Sequence, residues 1–525
     1  MGSVAEPELA EAHMRQLLGS LGLDVNYVRG QANTLYFLDN GQEHAVVDFV
    51  GGYGSLIFGH NHPKLVAYAK QLLDAQVPIH AQFSYHPYAN ELATALNRVH
   101  RREFGTAEDY RAIFANSGAE AVETALKHAE MDRSIRLAAL GEQIHSHVEE
   151  ARAAVAAGAA VVADQAYDTV GVTDRSADSY ERLVEAVHRH NEPKFARSPL
   201  FLTLEGSFHG KLAGSLQLTH NSAYRLPFRA LAAQARFLPF DQPAAIDKAL
   251  DEERTFVFDV VVRDGVVDVV ERELPVIGGF FVEPIQGEGG IHEVGVDMAR
   301  AIRAAADAGG FPVILDEIQS GVGRSGAFFA GSHIGLTGDY YVLAKSLGGG
   351  LSKLSVLLVR DSRYQPDFEL LHSSTFAKDA FSCHIAREVV QMLEADDGAA
   401  YRRVVERGDQ LRAMLERIHS AFPDVVKDCR GRGLMLGLEF QDQSTCDDEI
   451  IASSARDGLI GYVLAGYLLR EHRVRVFPTA SASHTLRFEP SVELTDDEIS
   501  QLESGLEAAC QLLHERAGAR LVGAA

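Results

Sequence analysis

Two rhythms of apolar and polar positions divide this chain. From about residue 110 to 360, short apolar runs alternate with stretches of helical spacing, and the runs predict strands at 110–115, 199–204, 277–282, 312–315, 340–343 and 356–359. Strands separated by helices mark an α/β unit with a mainly parallel sheet. Two segments interrupt the rhythm. Residues 132–197 are rich in alanine and charge and predict two or three inserted helices, and in 255–273 valines alternate with Asp and Arg, predicting a polar-faced hairpin around Asp264-Gly265. Before the α/β unit, 5–24 predicts an amphipathic helix, 33–41 and 44–50 a hairpin turning at Asn40-Gly41, and Pro63 the start of another helix. Proline suits a helix start, where its missing N–H would have no acceptor. Beyond about 375 the pattern changes to long amphipathic helices and a short sheet at 431–440, 474–477 and 485–488, ending in a helix opened by Thr495-Asp-Asp-Glu498. That spacing is a capping box.

Composition narrows the function. A chain of 525 residues buries a large core and divides into lobes, and its net charge of −24 excludes nucleic acid and anionic membrane as expected partners. No stretch is apolar enough over about twenty residues to predict a membrane span, and the N-terminus has no secretory-signal pattern. Cys383, Cys429, Cys446 and Cys510 are scattered, which predicts a reducing, cytoplasmic setting without a disulfide framework or structural metal.

The candidate chemistry gathers at the carboxyl ends of the apolar runs. Lys345 follows 340–343 and precedes three glycines. A lysine there is either a surface group beside a turn or a desolvated, nucleophilic amine. Ser117, Gly118 and Ala119 open a helix directly after a strand, a position that offers free amides and a positive dipole end to an anion, or simply a well-capped helix. Phe208 and His209 follow 199–204, the ring suited to stacking on a planar group and the imidazole to a supporting role. Glu283 and Glu288 follow 277–282, and Asp316 ends 312–315. A carboxylate at the end of a buried strand is costly without a cationic partner; for Asp316 that partner is a pyridinium nitrogen or, in the plainer reading, the group is an N-cap or pairs with Arg324. His60 and His62 read as loop hydrogen-bonders, since no third residue is spaced to complete a metal site. In an open α/β sheet the strand ends share one edge, where ligands bind. Anion cup, aromatic face, buried carboxylate and lone lysine together describe a pyridoxal phosphate (PLP) site.

The motifs Ser-Gly-Ala-Glu-Ala at 117–121, Glu-Pro-Ile-Gln-Gly-Glu-Gly-Gly at 283–290, Leu-Asp-Glu-Ile-Gln-Ser-Gly-Val-Gly-Arg-Ser-Gly at 315–326, Ala-Lys-Ser-Leu-Gly-Gly-Gly at 344–350 and His-Ser-Ser-Thr-Phe at 372–376 resemble the signature set of class III aminotransferases. The resemblance covers roughly 25–130 and 198–510. It implies PLP-dependent fold type I: a large domain at 61–375 with a mainly parallel, seven-stranded-type sheet, and a smaller α+β domain built from 1–60 and 376–525. It further implies that Lys345 is the Schiff-base lysine and proton carrier, that Asp316 holds the pyridine nitrogen, and that Gln319 contacts the phenolic oxygen. Ser117, Gly118 and Ala119 would hold the phosphate, with Phe208, His209 and Glu283 around the ring. Thr375 would reach the phosphate of a neighbouring subunit, making a homodimer obligatory. Arg487 would grip the α-carboxylate of glutamate, with Glu288 as its partner when an uncharged acceptor binds and Tyr53 beside the substrate. The implied reaction moves an amino group from an amino acid, L-glutamate first, through pyridoxamine phosphate to an aldehyde or ketone.

Two departures stand out. Residues 132–197 have no counterpart in the family pattern and point to an unusual acceptor, such as a secondary-metabolite intermediate, or an added dimer contact. The stretch Leu351-Ser-Lys-Leu-Ser355 lacks the usual proline and brings in a second lysine, Lys353. The rival functions are an aminomutase or racemase of the same fold, which would need no second oxo substrate, and a non-catalytic scaffold, which would have no reason to keep both Lys345 and Asp316.

Overall fold

The computed structural model describes residues 10–81, 84, 85, 87–231 and 234–523. At its centre lies a seven-stranded sheet: β1 (Tyr110–Ala115), β2 (Leu200–Leu204), β3 (Gln234–Leu238), β4 (Ile277–Val282), β5 (Val313–Asp316), β6 (Tyr340–Leu343) and β7 (Ser355–Arg360). The spatial order is β1-β7-β6-β5-β4-β2-β3, and β7 alone runs antiparallel to its neighbours. Every residue of β2, β4, β5 and β6 is buried. Helices cover both faces of such a sheet, which is why its strands are continuous apolar runs. The expected fold class, α/β with a mainly parallel seven-stranded sheet, is the observed one.

The interruption at 132–197 differs from expectation at its start. A single helix of 39 residues, Gly118–Ala156, runs from the end of β1 straight through residue 132. Its sequence holds no proline and only Gly141 inside, too weak a breaker to end it. The helix Ser179–Phe195 and the short strand Val161–Val162 follow. That strand pairs parallel with Val266–Glu273, the second strand of a hairpin with Phe256–Arg263. The two interruptions therefore form one lobe. Val260, Val267 and Val269 from the hairpin pack with Leu183, Val184 and Val187 from the helix and with Val148 and Ala151 from the long helix. Asn191 pins helix to hairpin, donating to the Phe258 carbonyl at 2.7 Å and accepting the Phe258 N–H at 2.8 Å. Asn191→Ala leaves two buried backbone groups unpaired, so it is expected to lower stability by about 1–3 kcal/mol. Urea unfolding gives the loss, and faster amide exchange confined to 256–273 would place it in this lobe.

The chain ends meet. The hairpin Thr34–Asp39 and Gln42–Asp48 turns at Asn40-Gly41, both at positive φ, as a tight two-residue hairpin turn requires. The expected strand at 474–477 is split: Val474–Arg475 adds parallel to Gln42–Asp48, and Phe477–Pro478 pairs with Thr485–Phe488. An ion pair between Arg475 and the buried Asp48, at 2.8 Å, fixes the first half. The run at 431–440 is likewise two strands, Val426–Arg432 and Met435–Phe440. The first helix spans Ala12–Ser20, and the part expected at 5–9 lies outside the described residues. Pro63 and Thr495 open their helices as expected, the latter with a complete capping box.

Candidate active site

β1 delivers Asn116 and Ser117 to the N-terminus of the long helix. Ser117 Oγ accepts the Glu120 N–H at 3.4 Å, and the Glu120 carboxylate accepts the Asn116 and Ser117 amides, each at 2.8 Å. The amides of Gly118 and Ala119 have no intrahelical acceptor, as in the first turn of any helix. The helix start packs closely on the β5 loop: a Cβ at Gly118 would stand 2.8 Å from Ile318 Cδ1. At Gly210, with φ at 122°, a Cβ would stand 2.8 Å from that of Ala119. The helix start, the β5 loop and the β2 loop thus close around one anion-ready corner.

Asp316 ends β5 and is buried. Its Oδ2 lies 2.7 Å from His209 Nδ1, and its Oδ1 accepts the Ile318 N–H at 3.1 Å. His209 is supported on its far side by Thr203 Oγ1 at 3.2 Å. Burial opposes charge on His209, but the Asp316 hydrogen bond and charge outweigh it, and the imidazole pKa is raised. His209 thus sits between Asp316 and Thr203. Arg324 does not pair with Asp316; it donates to the carbonyls of Leu434, Pro490 and Gly54. Glu283 accepts the Phe208 N–H at 2.8 Å and the Gly287 N–H at 3.1 Å, bracing the loop that carries the Phe208 ring. Burial pushes its pKa up to about 7, with His209 pulling the other way.

Lys345 follows β6 with φ at 46°, in the left-handed region. For a residue with a side chain this costs about 1–2 kcal/mol, strain of a kind that collects at functional sites. The turn is held by Ser346 Oγ, which donates to the Gly54 carbonyl at 2.6 Å. Burial lowers the Lys345 pKa, against the opposing charges of Glu489 and Glu288. Ser117, Gly118, Ala119, Phe208, His209, Glu283, Asp316, Gln319 and Lys345 line one cavity of about 470 Å³, a volume that suits a small cofactor. Lys353, set apart by the sequence motif, also lies on its wall, with an exposed side chain.

A charged cluster adjoins Lys345. Arg487 is buried in Thr485–Phe488 and donates to Glu288 through Nη1. Glu288 also accepts the Ala480 N–H at 2.7 Å. The Tyr53 ring covers the guanidinium, its centroid 4.9 Å away. Gln319 Nε2 donates to Glu489 Oε2 at 3.1 Å. Glu489 was not among the sequence candidates; its only signal is a second charge two residues after Arg487 on the approach to Pro490. Thr375 does not line the cavity of its own chain. It is exposed in a loop tied to the helix start by Asn116 Nδ2 donating to Ser374 Oγ at 2.8 Å. His60 bonds Asp48 at 2.9 Å, and no group of three or more potential metal ligands occurs among the described residues.

The donor set fits a phosphorylated pyridine aldehyde: helix amides for the phosphate, Phe208 for the ring face, Asp316 for a protonated nitrogen and Lys345 for the carbonyl carbon. The fold is shared with solved structures of low sequence identity. An ornithine aminotransferase from Toxoplasma gondii ME49 is 22% identical, with 94% of this chain and 92% of that one covered at a TM-score of 0.64. A PLP-bound amine transaminase from an uncultivated Pseudomonas species is 21% identical, with 97% of each chain covered at a TM-score of 0.66. No helix among the described residues is long and apolar enough to cross a membrane. The family described as aminotransferase class-III matches residues 20–484, and the chain belongs to it: it is a PLP-dependent class III aminotransferase.

Proposed function

We propose that this aminotransferase takes the amino group of L-glutamate and transfers it to an aldehyde or ketone without a carboxylate at the matching position, a specialised biosynthetic intermediate. The observation that carries this reading is the Arg487–Glu288 pair beside Lys345. Closed, the pair presents no net charge to an uncharged acceptor. Opened, Arg487 offers a fork of donors that matches a carboxylate.

PLP, when bound, supplies an electron sink for the electrons released at the substrate's α-carbon. The residues of the chain do the rest. Lys345 Nζ carries the α-proton, its lowered pKa keeping more of the amine neutral. Asp316, held by His209, keeps the ring nitrogen protonated. The amides at Gly118 and Ala119, with Ser117, hold the phosphate, and Gln319 faces the phenolic oxygen. Phe208 covers the ring, and Glu283 fixes that loop. Thr375 completes the phosphate site of a second subunit in a homodimer, supported by the exposed Tyr85, Leu370, Leu371 and Phe376 around its loop. We take 61–375 as the cofactor domain and 1–60 with 376–525 as the small domain, in a protein of the cytoplasm.

Incubating the enzyme with glutamate and a panel of aldehydes and ketones tests the reading: 2-oxoglutarate should form in step with a new amine. Isomerisation of one pure amine or amino acid without an oxo partner would instead favour an aminomutase or racemase. Arg487→Gln removes one member of a buried ion pair, an effect of about 2–5 kcal/mol. It is therefore expected to lower kcat/KM for glutamate by about 10²-fold, chiefly through KM.

A further inference from the structure

One buried carboxylate has no task in this mechanism. Glu489 is wholly buried, and its backbone N–H is held by the Phe49 carbonyl at 2.7 Å. Oε2 accepts from Gln319 and lies 3.3 Å from Arg487 Nε. Oε1 has no hydrogen-bond partner. It rests against Gly54, where φ is 81° and a Cβ would stand 2.9 Å from it. Arg487 Nε and Nη2 are likewise buried without a hydrogen-bond partner, so the approach of Glu489 to Nε is an ion pair only. Leaving charged atoms unpaired away from water is costly, so packing alone gives no reason for an acid here. Arg324 is the other buried cation nearby, bonded only to carbonyl oxygens, and Glu489 is the charge that acts on it. Glu489 therefore acts on both guanidinium groups, and Lys345 feels Glu489, Glu288 and Arg487.

We infer that Glu489 is a fixed counter-charge that limits how tightly Arg487 holds a substrate carboxylate, and so sets the balance between carboxylate-bearing and carboxylate-free substrates. The inference rests on the dual-substrate reading of Arg487 and deepens it. The two acids meet different atoms of the guanidinium. Glu288 stands in the glycine-rich segment 283–290 and occupies Nη1, so it must leave before a carboxylate can take both terminal nitrogens. Glu489 is anchored by Phe49 and Gln319 and contacts Nε, on the other side of the guanidinium. It stays. An incoming carboxylate meets an arginine still facing an anion, whereas a substrate without one leaves the Arg487–Glu288 pair closed and is spared that cost. Glu489 also remains as a counter-charge when Glu288 departs, so Arg487 is not left bare.

Glu489→Gln removes the charge and keeps the volume. In the PLP-loaded enzyme, glutarate, a dicarboxylate with no amine, is titrated by calorimetry, and kcat and KM are measured for glutamate and for benzylamine. Glutarate is expected to bind about tenfold tighter, equivalent to about 1.4 kcal/mol. KM for glutamate should fall by a similar factor, raising the kcat/KM ratio of glutamate over benzylamine. Glu489→Asp keeps the charge but draws it back from Arg487; a smaller gain is expected, and this variant decides the question if thermal unfolding shows that Glu489→Gln does not fold. Unchanged glutarate affinity, or a parallel loss for both amine donors, would overturn the inference. Parent enzyme that transaminates neither glutamate nor benzylamine would count against the proposed substrates instead, and the glutarate titration would remain readable.

Discussion

Replacing Lys345 with alanine is expected to lower kcat for transamination by about 10⁴-fold or more, since positioned proton transfer alone contributes 10²–10⁴-fold and the nucleophile is lost with it. The expectation follows from placement. Lys345 stands on the cavity wall just beyond a fully buried strand, in a strained left-handed turn that its neighbours hold in place. Burial lowers its pKa, so the neutral amine is the reactive form over more of the pH range. The parent rate should fall as pH drops through that lowered value, because protonation removes the base, and the variant should lack this acid limb. The measurement is 2-oxoglutarate release from glutamate across pH, together with borohydride reduction of the PLP-loaded parent and peptide mapping. Label on Lys345 is expected. Label on Lys353, which lines the same cavity, or an alanine variant that keeps most of its activity, would mean that the base has been assigned to the wrong lysine.

Asp316→Asn is the second large effect. Asp316 is buried, with only His209 and the Ile318 amide as partners. A protonated ring nitrogen beside it forms a buried ion pair, and removing one member of such a pair costs about 3–5 kcal/mol, or about 10²–10⁴-fold in rate. The fall should appear in kcat, with the folded state retained. A second readout comes from the PLP-free protein. The folded pKa of His209 is raised by Asp316 above its unfolded value of about 6.5. That contribution to stability is fully present below about 6.5 and is lost as pH rises through the folded value. The stability gap between parent and Asp316→Asn should therefore be widest in acid and narrow with rising pH. A gap that widens toward alkaline pH would show that the His209–Asp316 bond is not the link assumed.

Much of this site was legible because parallel strands buried on both faces are written as plain apolar runs, and the first polar residue after each one marks the functional edge. Lys345, Asp316, Glu283 and the Phe208 loop were found in that way. β3, Gln-Ala-Arg-Phe-Leu, was missed because it lies at the sheet edge and is only partly buried. The strand at 474–477 was read whole because pattern alone does not show one half turning to pair with Gln42–Asp48, more than four hundred residues upstream. Glu489 was passed over for a similar reason. Arg487 is two residues away in the chain, but Phe49 and Gly54 come from one distant segment and Gln319 from another, and only the folded chain brings them around one carboxylate. The Arg487–Glu288 contact, by contrast, was expected from the family's motifs and is present.

The shared core of the two interruptions limits how this protein can be trimmed. Cutting out 157–197 alone would bare the valines of the hairpin, and cutting out 255–273 alone would bare Leu183, Val184 and Val187. Either half-excision leaves a sticky apolar face and an orphaned strand edge, an invitation to aggregate. A shortened chain must lose both segments in one operation. The two pieces are one folding unit, and neither buries its apolar face without the other.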